Sequence, residues 1–297
     1  MKLSIITINY NNAEGLEKTM DSVSCQTSKD FEYIVVDGAS TDNSLEVIGQ
    51  FENLKIQQFE NEKIEFDSNR FQWISEQDSG IYHAMNKGIR LAKGEYIQFL
   101  NSGDSLVAPD VTERMLSNLF SSPMGESEGV GIYYGNMLKV LPDGTFFYNR
   151  EIPKISFLTL YLGSINHSSA YIKRNLFKKY GLYDESLKIV SDWKFYLISV
   201  VFHNEKVKYF NIDVSYFDMK GISNTNSVLD KVERRQVLEE LVPPMILADY
   251  DKHWFDIEQM KRIHRYKITY HIVWFIERCL FKIEKRKTKR KKEHLYY

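Results

Sequence analysis

Three aspartates and one histidine carry the chemistry that this sequence can offer. Asp37 ends a buried-strand run, Phe31–Val36, and Asp104 follows another, Glu95–Leu100, across the turn Asn101-Ser102-Gly103. Asp192 lies in Ile189-Val190-Ser191-Asp192-Trp193, and His167 in Asn166-His167-Ser168-Ser169. Carboxylates suit two tasks: holding a divalent cation on hard oxygen ligands, and taking a proton from a nucleophile, which a histidine also does. Each residue has a plain structural reading beside the chemical one. Asp104 is also a turn aspartate, Asp37 a helix-capping one, Asp192 a first-turn acid favoured by the helix dipole, and His167 a structural side chain. Gly103 lets the chain bend sharply and aim the Asp104 carboxylate into a crevice. Thr41 and Asp42 are better placed than Asp37 to cap the helix that follows.

The elements around these residues set where they stand. Leu3–Ile8 is a β-branched apolar run, a buried strand that gives way to the polar cluster Asn9–Asn12. Ala13–Ser24 has helical spacing, and Ser44–Phe51 follows Thr41-Asp42 as a second helix. Leu54–Phe59 and Phe71–Ser75 read as further strands. Gly80–Lys93 reads as a helix with Gly94 as its stop. Strand alternating with helix predicts right-handed βαβ units in a mostly parallel sheet. Ligands of such sheets sit beyond the carboxyl ends of the strands. Asn9–Asn12, Asp37–Ser40 and Asn101–Asp104 all occupy such ends, so one crevice should receive them. The second half is less regular. It predicts a hairpin of Gly131–Val140 with Thr145–Arg150, a helix over Ile155–Leu162 and a short strand Ala170–Lys173. After these come a short helix Arg174–Tyr180, a helix Ser191–Phe202 capped by Ser191, and a strand Val207–Phe217. The loop Met219–Asn226 leads to helices Ser227–Leu247 and Phe255–Lys287.

Composition narrows the function classes. With 297 residues, 43% hydrophobic and 27% charged, the chain can bury a full core. The formal net charge of -1 conceals an asymmetry. Lys282–Lys292 holds eight basic residues against Glu284 alone, a net +7, which leaves -8 for the rest. Such a tail points to an anionic surface. No basic, aromatic-interleaved face occurs elsewhere, which argues against nucleic acid. Cys25 and Cys279 make no disulfide framework. The opening apolar run is too short and interrupted for a signal peptide. No stretch approaches the ~18 uncharged apolar residues of a spanning helix. The expectation is a cytoplasmic protein, associated with the inner face of the cell membrane through its tail. No phosphate-binding glycine fingerprint is present, nor a CxxC or HxxxH pattern for zinc.

The ordered motifs carry a resemblance. Ser4-Ile5-Ile6-Thr7-Ile8-Asn9-Tyr10-Asn11-Asn12 is similar to the opening strand of glycosyltransferase family 2, of the GT-A fold. Ser22–Thr27 with Phe31–Asp42 resembles that family's next signature, and Met85-Asn86-Lys87-Gly88 with Ala92–Asp104 completes it. The likeness covers residues 3–110. Beyond that, Asn166-His167-Ser168 and Ser191-Asp192-Trp193 resemble a bacterial surface-polysaccharide branch.

The resemblance implies a Rossmann-like, mostly parallel sheet flanked by helices, with a C-terminal helical extension. It implies a domain over 1–225, with a nucleotide-binding half (1–110) and an acceptor half (111–225), and the extension over 226–297. Ile8, Asn9, Tyr10, Asn11 and Asp37 would line the nucleoside pocket. Asp78 and Gly80 would adjoin the sugar nucleotide, with Asn86 holding that loop and Ser102 and Gly103 shaping the site. Asp104 would bind Mg²⁺ or Mn²⁺ bridging the diphosphate, and Asp192 matches the general base of an inverting transfer. His167 would contact acceptor or diphosphate. Lys220, in a loop closing over the donor, would contact phosphate. The partners implied are a nucleotide-sugar donor and a saccharide or polyprenyl-linked acceptor in surface-polysaccharide synthesis. This chain lacks the acids that the family commonly carries at Gly38, Asn101, Gly103 and Ser191. Two alternatives remain. A nucleotidyltransferase would need a basic, Gly-rich phosphate loop, and Asn9–Gly15 has no Lys or Arg. A non-catalytic sugar-nucleotide-binding protein would tolerate Asp192→Asn. In the tail, Ile268, Ile272, Phe275, Ile276, Cys279 and Ile283 have helical spacing just before the basic run. His264–Ile283, with the basic run to Lys292, therefore reads as an interfacial helix on anionic membrane, against the plainer reading of a C-terminal helix packed on the domain with a solvated basic end.

Overall fold

β1 (Leu3–Asn9), β2 (Phe31–Asp37), β3 (Phe71–Ser75) and β4 (Tyr96–Phe99) lie in the order β3-β2-β1-β4 and are parallel throughout. Every residue of β1 and β2 is buried, as unbroken apolar runs require of strands covered on both faces. α1 (Ala13–Ser24) and α2 (Ser44–Gln58) cover one face, where Leu16, Met20, Val23, Ile48 and Phe51 share a core with Leu3, Ile5, Tyr33 and Val35. α3 (Ile81–Leu91) covers the other so closely that a Cβ on Gly88 would meet Ile6 Cγ2 at 2.5 Å.

The computed structural model describes residues 1–58, 70–120, 129–141, 145–149, 154–219, 226–253 and 271–282. The chain divides into two compact units, Met1–Arg234 and the part from Arg235 onward. Within the first, the sheet continues from β4 through β8 (Ala170–Lys173), β6 (Val130–Val140), β9 (Lys206–Asp218) and β5 (Ser105–Leu106), with β7 (Phe146–Asn149) on β6. The mostly parallel sheet thus gains antiparallel pairs beyond β4. α4 (Val111–Phe120), α5 (Phe157–Leu162), α6 (Asn175–Tyr180) and α7 (Ser191–Tyr196) complete this half. α7 runs on as a π-helical turn, Leu197–Phe202, and α8 (Ser227–Leu241) follows β9. β4 and β5 are separated in sequence only by residues 100–104, yet stand four strand positions apart. A five-residue connection folded into a turn cannot reach across ~19 Å of flat sheet. The sheet therefore curls, and the far edge of β9 comes back to the Asn101–Asp104 turn.

Several expectations are corrected. Leu54–Gln58 is the end of α2 and not a strand, because Ile48, Phe51 and Leu54 keep helical spacing and no Gly or Pro intervenes after Gln50. Gly94 does not stop α3, whose C-cap is Ala92. Its lack of a Cβ instead admits the backbone of β1, since a Cβ there would stand 2.5 Å from Ser4 N. Ser191 does not cap α7: Val190 holds that position, and Ser191 Oγ accepts from the Asp184 N–H at 2.5 Å. The helix from Ser227 ends at Leu241, and a new one starts after Pro243, since proline cannot continue the hydrogen-bond ladder. Residues 105–120, which no sequence signal marked, form β5 and α4.

Candidate active site

The turn after β4 is built by α1. The Thr19 hydroxyl donates to the Asp104 carbonyl at 2.6 Å and accepts from the Gly103 N–H at 3.0 Å. The Asn12 amide donates to the Ser102 carbonyl at 3.2 Å, and Lys18 Nζ donates to the Gly103 carbonyl at 3.1 Å. Gly103 has φ +102°, a left-handed conformation open to glycine. That turn delivers Asp104 to the cleft with only 3% of its surface exposed. Its Oδ1 accepts from the Asp218 N–H at 2.9 Å, while its buried Oδ2 has no hydrogen-bond donor. Burial pushes the carboxyl pKa up to about 7, against the opposing pull of His167.

His167 bridges the two carboxylates. Its Nε2 stands 4.0 Å from Asp104 Oδ2 and 3.1 Å from Asn101 Nδ2, and its Nδ1 stands 3.5 Å from Asp192 Oδ2. Burial alone would lower its pKa, but the hydrogen bond and charge of Asp192, with the charge of Asp104, raise it overall. Burial likewise works against ionised Asp192. The hydrogen bond and charge of His167 and the hydroxyl of Tyr82 outweigh it, and hold Asp192 below the usual carboxylate range. A cleft of about 770 Å³ is lined by Ser102, Gly103, Asp104, His167 and Asp192 together with Lys18, Tyr82, Lys139, Lys188, Asp218 and Arg234.

The remaining expected residues stand elsewhere. Ile8 and Asn9 are buried at the end of β1, while Tyr10 is 68% exposed. Asn11 has φ +50° and accepts from the Thr41 N–H at 2.8 Å. Asp37 is fully buried and takes donors from Asn9, the Ser40 N–H, the Ser40 hydroxyl and Ser75. These bonds hold its pKa below the ordinary value in spite of burial. It thereby ties together the loops after β1, β2 and β3. Asp78 pairs with Lys87 at 2.6 Å. Gly80, at φ +150°, opens α3, and Lys188 Nζ would lie 3.5 Å from a Cβ placed there. Asn86 does not hold the Asp78–Gly80 loop. Its buried amide donates to the Tyr183 carbonyl and to Glu185 and accepts from the Tyr183 N–H. Lys220 lies outside the described residues.

Sequence reasoning missed Asp218, Tyr82 and Glu233. Asp218 ends a strand beside the Met219–Asn226 loop, the same signal that marked Asp37. Glu233 accepts the N–H groups of Lys188, Ile189 and Val190 at 2.7, 2.9 and 3.3 Å, and nothing local in α8 betrays that. For a cation, the unpartnered oxygen of Asp104 is the natural first ligand. Asp218 lies close by: a Cβ on Gly103 would stand 2.9 Å from its Oδ2. No cluster of three His, Cys, Asp or Glu side chains suited to a metal occurs among the described residues. The hard-oxygen set fits Mg²⁺ or Mn²⁺ with further oxygens supplied by a ligand.

Comparison with known proteins accords with this geometry. The sequence profile described as Glycosyl transferase family 2 matches residues 4–180. A PGL/p-HBAD biosynthesis glycosyltransferase of Mycobacterium bovis is 30% identical over 230 residues, covering 77% of this chain and 80% of that one. An uncharacterized glycosyltransferase of Rickettsia typhi is 29% identical over 253 residues, covering 80% and 70%. Among solved structures, S. aureus TarS superposes with a TM-score of 0.57 at 18% identity, covering 82% of this chain and 43% of TarS. The present chain thus spans less than half of TarS. The mannosyltransferase of Pyrobaculum calidifontis, solved with GDP-Man and Mn²⁺, gives 0.55 at 17% identity, covering 79% and 60%. These likenesses fix the GT-A fold. The chain is a glycosyltransferase and belongs to glycosyl transferase family 2.

Proposed function

We propose that this enzyme transfers a sugar, with inversion, from a nucleoside-diphosphate sugar to a saccharide or polyprenyl-linked saccharide in surface glycolipid or polysaccharide synthesis. The observation that carries this reading is one cleft holding Asp104, with an unpartnered buried oxygen, and Asp192, with His167 between them. The acceptor hydroxyl oxygen bonds to the anomeric carbon as the bond from that carbon to the diphosphate oxygen breaks. Asp192 takes the hydroxyl proton, and the electron pair leaves with the nucleoside diphosphate. A divalent metal on Asp104 would supply charge neutralisation of that leaving group. Lys18 and Lys139 add positive charge to the same cleft. TarS has been solved with UDP-GlcNAc, and the mycobacterial relative is named a PGL/p-HBAD biosynthesis glycosyltransferase, which supports a nucleotide-sugar donor and a biosynthetic transfer. A nucleotidyltransferase reading finds no such support.

The decisive measurement is nucleoside diphosphate release from a panel of nucleotide sugars, with and without Mn²⁺. Asp192→Asn should abolish turnover while leaving the donor-induced rise in Tm intact. Full activity in that variant would remove Asp192 from its role. The tail contributes the membrane part of the reading. No described helix is long and apolar enough to cross a membrane. Residues 271–282 are helical, with Ile272, Phe275, Ile276, Leu280 and Phe281 each at least half exposed. Lys282 and the basic run follow, a composition suited to an anionic bilayer surface. Deleting 264–297 should abolish binding to anionic vesicles, and unchanged binding would refute the proposal.

A further inference from the structure

Tyr82 stands at a point where two parts of the Asp192 segment meet. Its hydroxyl lies 2.5 Å from the Ile189 carbonyl oxygen and 3.0 Å from Asp192 Oδ1. A phenol has one proton, so these two acceptors share a single donor. Burial, and then the charge of Asp192, keep that phenol protonated far above its ordinary range, so it is a donor at every working pH.

The ring has little freedom to leave. Tyr82 is 4% exposed and lies in the first turn of α3. It packs on Tyr183, with ring centroids 5.6 Å apart. Tyr183 is held in turn by Asn86, one turn further along α3, through both its N–H and its carbonyl. The same helix therefore fixes the ring and the surface it rests on. Lys188 Nζ reaches the Ser79 carbonyl at 3.3 Å, a second tie between the start of α3 and the segment that carries Asp192.

We propose that Tyr82 is a positioning residue for the transfer: its hydroxyl fixes Asp192 Oδ1 and the Ile189 turn together, so that the carboxylate faces the cleft in one orientation. This rests on Asp192 being the base. His167 holds the other carboxylate oxygen, so Tyr82 and His167 fix the plane of the carboxylate between them. A base aligned in this way presents its lone pair without rotamer search, and a small misplacement of such a group costs rate far more than binding.

The test is Tyr82→Phe, which keeps the ring on Tyr183 and removes only the hydroxyl. Crystal structures of wild type and variant at one pH should show the Asp192 carboxylate rotated from its wild-type plane. Turnover is read as nucleoside diphosphate release with water as acceptor, offering UDP-N-acetylglucosamine, UDP-glucose and GDP-mannose in turn. The expected result is a fall in kcat of ~10- to 100-fold with donor KM within about twofold, and a Tm that shows the variant folded. An unmoved Asp192 carboxylate overturns the proposal. So does a raised donor KM at unchanged kcat, which would make Tyr82 a substrate contact. The two readings fail separately. Activity in Asp192→Asn removes the base, whereas an inactive Asp192→Asn beside a fully active Tyr82→Phe removes only the positioning role.

Discussion

Nδ1 of His167 stands 3.5 Å from Oδ2 of Asp192, and the two side chains shift each other in opposite directions. The imidazole is held above its ordinary 6.5 and the carboxyl below its ordinary 3.8, each against the effect of its own burial. The raised histidine contributes stability that is complete below about 6.5 and is lost as pH climbs through its folded value. The lowered aspartate contributes stability that is complete above about 3.8 and is lost as pH falls through its folded value. Both contributions are whole only between those limits.

His167→Gln should therefore cost the most Tm between about pH 4 and 6.5 and progressively less above that window, as seen in thermal melts across pH. Removing the imidazole also lets the Asp192 pKa rise, so the acid limb of kcat/KM should move to higher pH. An acid limb that stays in place would mean that Asp192 does not titrate in the rate.

Asp104→Asn should change stability with the opposite sign. The Asp104 carboxyl is raised to about 7 by burial, so the native state holds its proton longer than the unfolded chain. The penalty for ionising it is absent below about pH 4 and complete above about 7. The Asn variant should melt above wild type at pH 8, keep only part of that advantage at pH 5 and lose it at about pH 4. Mn²⁺ should raise the wild-type Tm at pH 8 and leave the variant unmoved. A variant stabilised as much as wild type by Mn²⁺ would place the metal elsewhere.

Gly103→Ala should damage the same corner from the backbone. At φ +102° an alanine is strained, at a cost of about 1–3 kcal/mol, and its Cβ would press on Asp218 Oδ2 from 2.9 Å. The Asp218 carboxylate is the end of a side chain and can move, so the fold should survive with a lowered Tm. The measurement is the Mn²⁺ concentration for half-maximal turnover, which should rise.

The sequence exposed the strands that carry the site better than the contacts within it. Unbroken apolar runs announced β1 and β2; of the polar clusters after them, Asn12 lines the cleft, while Asp37 and Ser40 bond to each other and to Asn9. Asp104 was visible because glycine before an aspartate at a strand end is a local pattern. Asp218 ends a strand as Asp37 does, but only the curl of the sheet brings it to the site, and Tyr82 reaches the site through a contact 110 positions apart in sequence. Asn86 shows the opposite error: its place in the Met85–Gly88 motif suggested the neighbouring loop, while its amide serves a segment 97 residues away. Leu54 and Ile56 alternate like a strand, and only continuity from Ser44 makes them the end of α2.

Glu233 tests how far Asp192 depends on its support. Asp192 lies beyond the family profile, which ends at residue 180, and its segment is held from both sides, by Tyr82 of α3 and by Glu233 of α8. The Glu233 carboxylate, 5% exposed, accepts three successive backbone N–H groups of that turn. Glu233→Gln keeps the volume but offers one acceptor oxygen, and its NH₂ would face a backbone donor. Leaving a buried N–H unpaired costs about 1–3 kcal/mol, so Tm should fall by several degrees. Because Ile189 and Val190 lead directly into α7, the loss should also loosen Asp192, lowering kcat more than it raises donor KM. Glu233→Asp, which restores the charge on a shorter arm, should recover part of both. A Gln variant with wild-type Tm and kcat would show that Tyr82 and His167 hold the turn without Glu233.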